Sequence, residues 1–170
     1  MNNLIKTLLI SLCYFMVSCS TPTGNGIAAG TKVQVKYITD FYPKPQLGMK
    51  YVYLSSEKKG LAQTLTRLEY SVTEINDNKV KLKTLANGID QKSLDIDINK
   101  PPLLPSANLQ YEGEDFLIVT AGSYQTTRFS YLINNDRYDL WLSKDVGVIK
   151  FSERKSSGDV VITELNEFRI

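Results

Sequence analysis

Apolar and polar residues alternate along most of this chain. "TKVQVKYI" sets Val33, Val35 and Tyr37 against Lys32, Gln34 and Lys36, and "GMKYVYLSS" follows a Pro-rich bend at "YPKPQLG". "RLEYSVTEI" puts Leu68, Tyr70 and Val72 on one face, and "KVKLKTL" puts Val80 and Leu82 inward with Lys79, Lys81 and Lys83 outward. "DFLIVT", "YQTTRFSYLI", "YDLWLS", "VIKFSE" and "VVITELNEF" follow, separated by "AGS", "NNDR", "KDVG" and "RKSSGD". Period two is the signature of half-buried strands. Short strands with polar turns predict an all-β domain: a single antiparallel meander of roughly 8–10 strands, strongly curved into a half-barrel or barrel. "KPPLLPSAN" is predicted as a loop, because proline cannot donate to a ladder. Leu61, Leu65 and Leu68 in "GLAQTLTRL" also fit a helical stripe, but the Thr-rich filling favours a strand. No fixed-period repeat suggests a solenoid or propeller.

One pair of strands fixes a register. "KVKLKTL" and "SLDIDIN" both carry their apolar residues at even positions: Val80 and Leu82, then Leu94, Ile96 and Ile98. Directly opposite residues share a face, so even must oppose even. A plain two-residue turn at Asn87–Gly88, a strong hairpin signal, would pair odd with even and turn lysines toward the isoleucines. The predicted connection is therefore three or five residues long, with Gly88 at positive φ, or it contains a bulge that restores phase. Lys81 then lies opposite or diagonal to Asp95.

The N-terminus departs from this pattern. Lys6 precedes an apolar run, Leu8–Val17, too short for a membrane helix of about 20 residues and suited to a signal-peptide core. The run ends in Met16, Val17, Ser18 and Cys19, which resembles a bacterial lipobox, with Met16 where Leu is usual. That resemblance implies lipid attachment at Cys19, with palmitate-type acyl chains, and cleavage after Ser18. Two or more chains anchor stably where one does not. Ser20 to Thr31 carries no charge and is rich in Gly, Thr and Ala, the composition of a flexible tether. The expected organisation is a signal peptide at 1–18, lipidated Cys19 and tether at 19–31, and a β domain at 32–170. Ser20 resembles the signal that sends Gram-negative lipoproteins to the outer membrane, where the domain would face the periplasm.

Composition then removes chemistries. The chain has 170 residues, no histidine, two cysteines and a formal net charge of +2. Without histidine there is no Ser-His-Asp triad, no Cys-His pair and none of the usual zinc sites. Cys13 would leave with the signal peptide and Cys19 would be acylated, so the mature chain needs neither thiol nor disulfide. No basic block suggests nucleic acid.

Three constellations are candidate sites. Asp95, Asp97 and Asn99 offer oxygen ligands for a hard cation, but as cross-strand partners of the lysines they are ordinary charge pairs. Ser55-x-x-Lys58 with Ser106-x-Asn108 echoes penicillin-binding serine enzymes, without the Lys-Thr-Gly element or the helical domain those enzymes carry. Glu112, Glu114 and Asp115 could supply paired carboxylates, and adjacent acids are more commonly a solvated loop. "PPLLP" could be a polyproline ligand and is more simply a rigid connection. The ten tyrosines and single tryptophan suit the core and rim of a curved sheet, or an aromatic binding surface. No catalytic, cofactor or metal residue is assigned.

"FYPKPQLGMKYVY", the hairpin "WLSKDVGVIKF" with Gly147 in its turn, and "VVITELNEF" resemble uncharacterised Gram-negative lipoproteins. Their curved half-barrel sheets are similar to those of periplasmic lipoprotein carriers. The resemblance implies a non-enzymatic envelope lipoprotein that binds an apolar ligand or a protein partner on its sheet. The alternative is a structural or assembly-accessory protein with a filled barrel, and the remotest is a hydrolase using Ser, Lys, Asp or Glu.

Overall fold

The structure, a computed structural model, describes residues 28–33, 40–97 and 109–170. Cys13, Cys19, Val35, Tyr37, Ile98, Asn99, Ser106, Asn108 and the "KPPLLPSAN" loop lie outside the described residues. Among the described residues eleven strands form one antiparallel sheet. They are β1 (Lys32–Val33), β2 (Lys50–Lys59), β3 (Ala62–Asn76), β4 (Lys79–Ala86), β5 (Ile89–Asp90), β6 (Leu94–Asp97), β7 (Leu109–Val119), β8 (Gly122–Ile133), β9 (Asp136–Ser143), β10 (Gly147–Arg154) and β11 (Val160–Arg169). The order is β1-β7-β8-β9-β10-β11-β2-β3-β4-β5, with β6 also on β4. The all-β antiparallel architecture is the expected one, and two of the strands have only two residues. Two up-and-down runs, β2 to β6 and β7 to β11, are joined where the last strand pairs with β2. Among the described residues the sheet is open, ending at β1 on one side and at β5 and β6 on the other.

Bulges curl this sheet. The register slips between Val72 and Glu74, Tyr111 and Gly113, Val148 and Lys150, and Leu165 and Glu167. Each extra residue bends its strand and increases its twist. In a flat sheet β7 and β11 would stand about 19 Å apart. Here Ala121 N, in the β7–β8 turn, donates to Leu165 O at 3.4 Å. The main core gathers on one face, with Leu109, Phe129, Leu140, Leu142, Ile149 and Leu165 at 0% exposure. A second cluster of Met49, Val72 and Val80 extends it toward β4.

"GLAQTLTRL" begins in the β2–β3 turn with Gly60 and Leu61 and is strand from Ala62 on, within β3. Leu68 packs on the main core while Leu61 and Leu65 are exposed, so the three leucines never formed one buried stripe. The β4–β6 pairing is even with even, and Lys81 stands directly opposite Asp95. Phase is restored by an irregularity and not by a longer turn. Asn87 (φ 50°) and Gly88 (φ 80°) make a two-residue turn that pairs Leu85 with Asp90. Gln91 N still bonds Thr84 O, and the ladder resumes one residue later at Leu82 and Leu94. Both preferences are met because the chain slips between β5 and β6.

The opposite face is a polar layer. Asp139, 2% exposed, accepts from Arg128 Nη2 at 2.8 Å and Arg137 Nη2 at 3.1 Å. The Trp141 ring lies between the Arg128 guanidinium at 4.9 Å and Lys150 Nζ at 5.6 Å. Glu69 pairs with Lys50 at 2.6 Å and with Arg67. Burial pushes the Asp139 carboxyl up, and the hydrogen bonds from Arg137 and Arg128 outweigh it, so it titrates below its ordinary 3.8. The hydrogen bond from Lys50 holds Glu69 below 4.5. Depressed folded values stabilise the fold above the ordinary carboxylate range, and that stability is lost as pH falls through them. Asp139→Asn is expected to cost about 1.5–3 kcal/mol in urea unfolding at neutral pH, the loss of charge-assisted hydrogen bonds. The difference from wild type should shrink below the ordinary carboxylate values. An undiminished difference in acid would show that Asp139 acts by packing alone.

Candidate functional site

The apolar face is lined with tyrosine. β2 alternates Tyr51 and Tyr53 toward it, β3 adds Leu68 and Tyr70, β8 adds Tyr131, and β9 adds Tyr138. Tyr51 stacks on Tyr53 at 6.2 Å and meets Phe168 at 4.8 Å. Tyr131 stacks on Tyr138 at 4.9 Å, and Tyr138 meets Phe151 at 6.0 Å. Rings of this size bridge the curved sheet. Tyr51 OH donates to Val146 O and Tyr53 OH to Val148 O, each at 3.2 Å, so two β2 side chains reach across β11 to the β9–β10 hairpin.

The segment before β2 closes one end of this face. Phe41 meets Phe129 edge-on at 6.0 Å. Tyr42 packs against the β9–β10 turn, where a Cβ on Gly147 (φ 90°) would stand 2.9 Å from Tyr42 Cδ1. The aromatic-Pro entry and the Gly147 turn are therefore two halves of one contact. Tyr42 OH is buried without a hydrogen-bond partner among the described residues. A buried hydroxyl in that state costs about 1–3 kcal/mol. It marks a place where the apolar face holds an unused donor.

Burial raises the pKa values of the tyrosines packed on this face. Tyr42, Tyr51, Tyr53 and Tyr70 are pushed up by desolvation, and Tyr131 is pushed up to about 12. Groups with raised folded values stabilise the fold fully below pH 10, and that stability is lost as pH climbs from 10 through the folded values. The tyrosinate absorbance of the buried rings is expected to rise in one cooperative step above pH 10, together with loss of far-ultraviolet circular dichroism. Gradual ionisation of these buried tyrosines in a folded chain would contradict the burial.

The other sequence-derived candidates separate. Ser55 accepts from Thr163 Oγ1 at 3.0 Å, and Lys58, three positions along the same strand, points to the other face. Glu112, Glu114 and Asp115 lie within β7, not in a solvated loop. The bulge after Tyr111 divides them. Glu112 pairs with Arg137 at 3.1 Å, Glu114 accepts from Tyr111 and Thr127, and Asp115 accepts from Trp141 Nε1 at 3.2 Å. Asp95 and Asp97 oppose Lys81 and Lys79. Among the described residues no three acidic or cysteine side chains converge as a metal site. Tyr42 was missed as a site residue. The two aromatics before "PKP" were its signal, but sequence does not show which hydroxyl will lack a partner.

No protein-family model and no curated protein matches the chain. Solved structures do. A Bacteroides fragilis protein described as exported, with a YmcC-like fold, superposes with TM-score 0.50 at 9% identity, over 76% of this chain and 99% of its own. A Parabacteroides distasonis protein described as a lipoprotein gives 0.53 at 12% identity, over 76% and 98%. This chain has their fold. One neighbour is thus described as exported and the other as a lipoprotein, and the β-sheet fold they share with this chain is the kind expected from its sequence.

Proposed function

We propose that this protein is a non-enzymatic lipoprotein of the outer membrane, anchored through Cys19 and facing the periplasm. Its tyrosine-lined face binds an apolar ligand that carries a hydrogen-bond acceptor. The observation that carries this reading is the buried, unpartnered Tyr42 hydroxyl inside an otherwise apolar, aromatic surface. An acyl chain would lie along the rings, and its carbonyl or carboxylate oxygen would accept from Tyr42. The descriptions of the two neighbours, one as exported and one as a lipoprotein, support export and a lipid anchor.

Tyr42→Phe separates ligand binding from packing. The delipidated variant is expected to be more stable than wild type by about 1 kcal/mol or more, because the orphan donor is gone. It should also retain several-fold less lipid when purified from envelopes, measured by mass spectrometry of extracts. Unchanged lipid content would contradict the binding role of Tyr42. The fully buried centre at Phe129, Leu140 and Leu165 favours a second reading, a filled structural sheet that assists assembly. Its mark would be a more stable Tyr42→Phe protein with no lipid in either form.

A further inference from the structure

The described hairpins differ in one respect. Their turns carry or closely adjoin charge: Lys58 and Lys59, Asp77, Asp90, Asp136, Lys144 and Asp145, and Lys155 and Asp159. The β7–β8 hairpin does not. Phe116 to Thr127 is twelve consecutive residues without a charge. On one face of that hairpin Phe116 is 60% and Ile118 78% exposed. They stand opposite the exposed Gln125 and Ser123, so toward its tip this face pairs two apolar residues with two uncharged polar ones.

The chain enters the sheet beside this hairpin. Gly30 N donates to Tyr111 O, and Tyr111 N to Thr31 O. β1 runs antiparallel to β7, so the chain arrives from the side of the β7–β8 turn. The nine residues from Ser20 to Ala28 span at most about 30 Å. Ile118 lies about 23 Å along β7 from Tyr111. A bilayer holding Cys19 is therefore within reach of the hairpin tip, and a membrane surface accepts exposed apolar side chains on a tip that carries no charge.

We infer that the β7–β8 hairpin docks on the phospholipid surface, placing Phe116 and Ile118 among the headgroups and upper acyl chains. The inference rests on Cys19 as the anchor. The test uses the full acylated protein in vesicles of phosphatidylethanolamine and phosphatidylglycerol. Ile118→Cys supplies one free thiol for an environment-sensitive fluorophore, since the Cys19 thiol is blocked by its lipid. Leu132→Cys, 69% exposed at the far end of β8, is the control. Brominated lipids are expected to quench the label at 118 at least twofold and to leave the label at 132 unchanged. Equal insensitivity at both positions, in vesicles that carry the protein on flotation, would overturn the docking and leave the anchor standing. Absence of acyl mass on Cys19 would remove the anchor and the docking with it.

Discussion

Gly147→Ala is expected to be the most damaging small substitution in the domain. Gly147 begins β10 at φ 90°, a conformation that costs an L-residue about 1–3 kcal/mol. The new methyl would also stand 2.9 Å from Tyr42 Cδ1 and 3.1 Å from Cε1. The ring cannot retreat freely, because it is packed into the main core, and overpacking adds about 1–3 kcal/mol. The combined loss of about 2–6 kcal/mol should appear as a melting temperature lower by on the order of 10 °C. A double-mutant cycle with Tyr42→Ala separates the two causes. The backbone strain should persist and the clash should vanish, giving a coupling of about 1–3 kcal/mol. Strict additivity would mean that Tyr42 does not press on the turn.

Cys19→Ala should have the largest cellular effect. Without the thiol there is no lipid attachment, and the resemblance to a lipobox implies that cleavage after Ser18 then fails. Incorporation of labelled fatty acid should fall to background and uncut precursor should accumulate. Equal label on mutant and wild type would refute the anchor. The outer-membrane assignment rests on Ser20 alone, and fractionation of the wild-type protein with the inner membrane would remove it.

Much of the fold was legible because period two survives wherever one face of a strand is buried. Leu68, Tyr70 and Val72 face the apolar side as their alternation implies, and the parity of Val80 against Ile96 fixed a register across a turn that locally contradicts it. The pairing of β11 with β2 was not legible. It depends on two long-range edges meeting, and no local pattern in "VVITELNEF" names its partner. Bulges were equally hidden, since one extra residue such as Glu112 leaves the composition unchanged while it sends Glu112, Glu114 and Asp115 to different partners. At the candidate site the aromatic richness was visible, but the orphan hydroxyl of Tyr42 emerges only from three-dimensional accounting of donors and acceptors.

Native mass spectrometry of the protein released from its own envelope, with the anchor cleaved in the tether, tests the binding of an apolar ligand most directly. A population heavier than the bare chain by the mass of an acyl-containing molecule, lost on delipidation and reduced by Tyr42→Phe, is the predicted result. A single species at the mass of the bare chain, from wild type and variant alike, would contradict it.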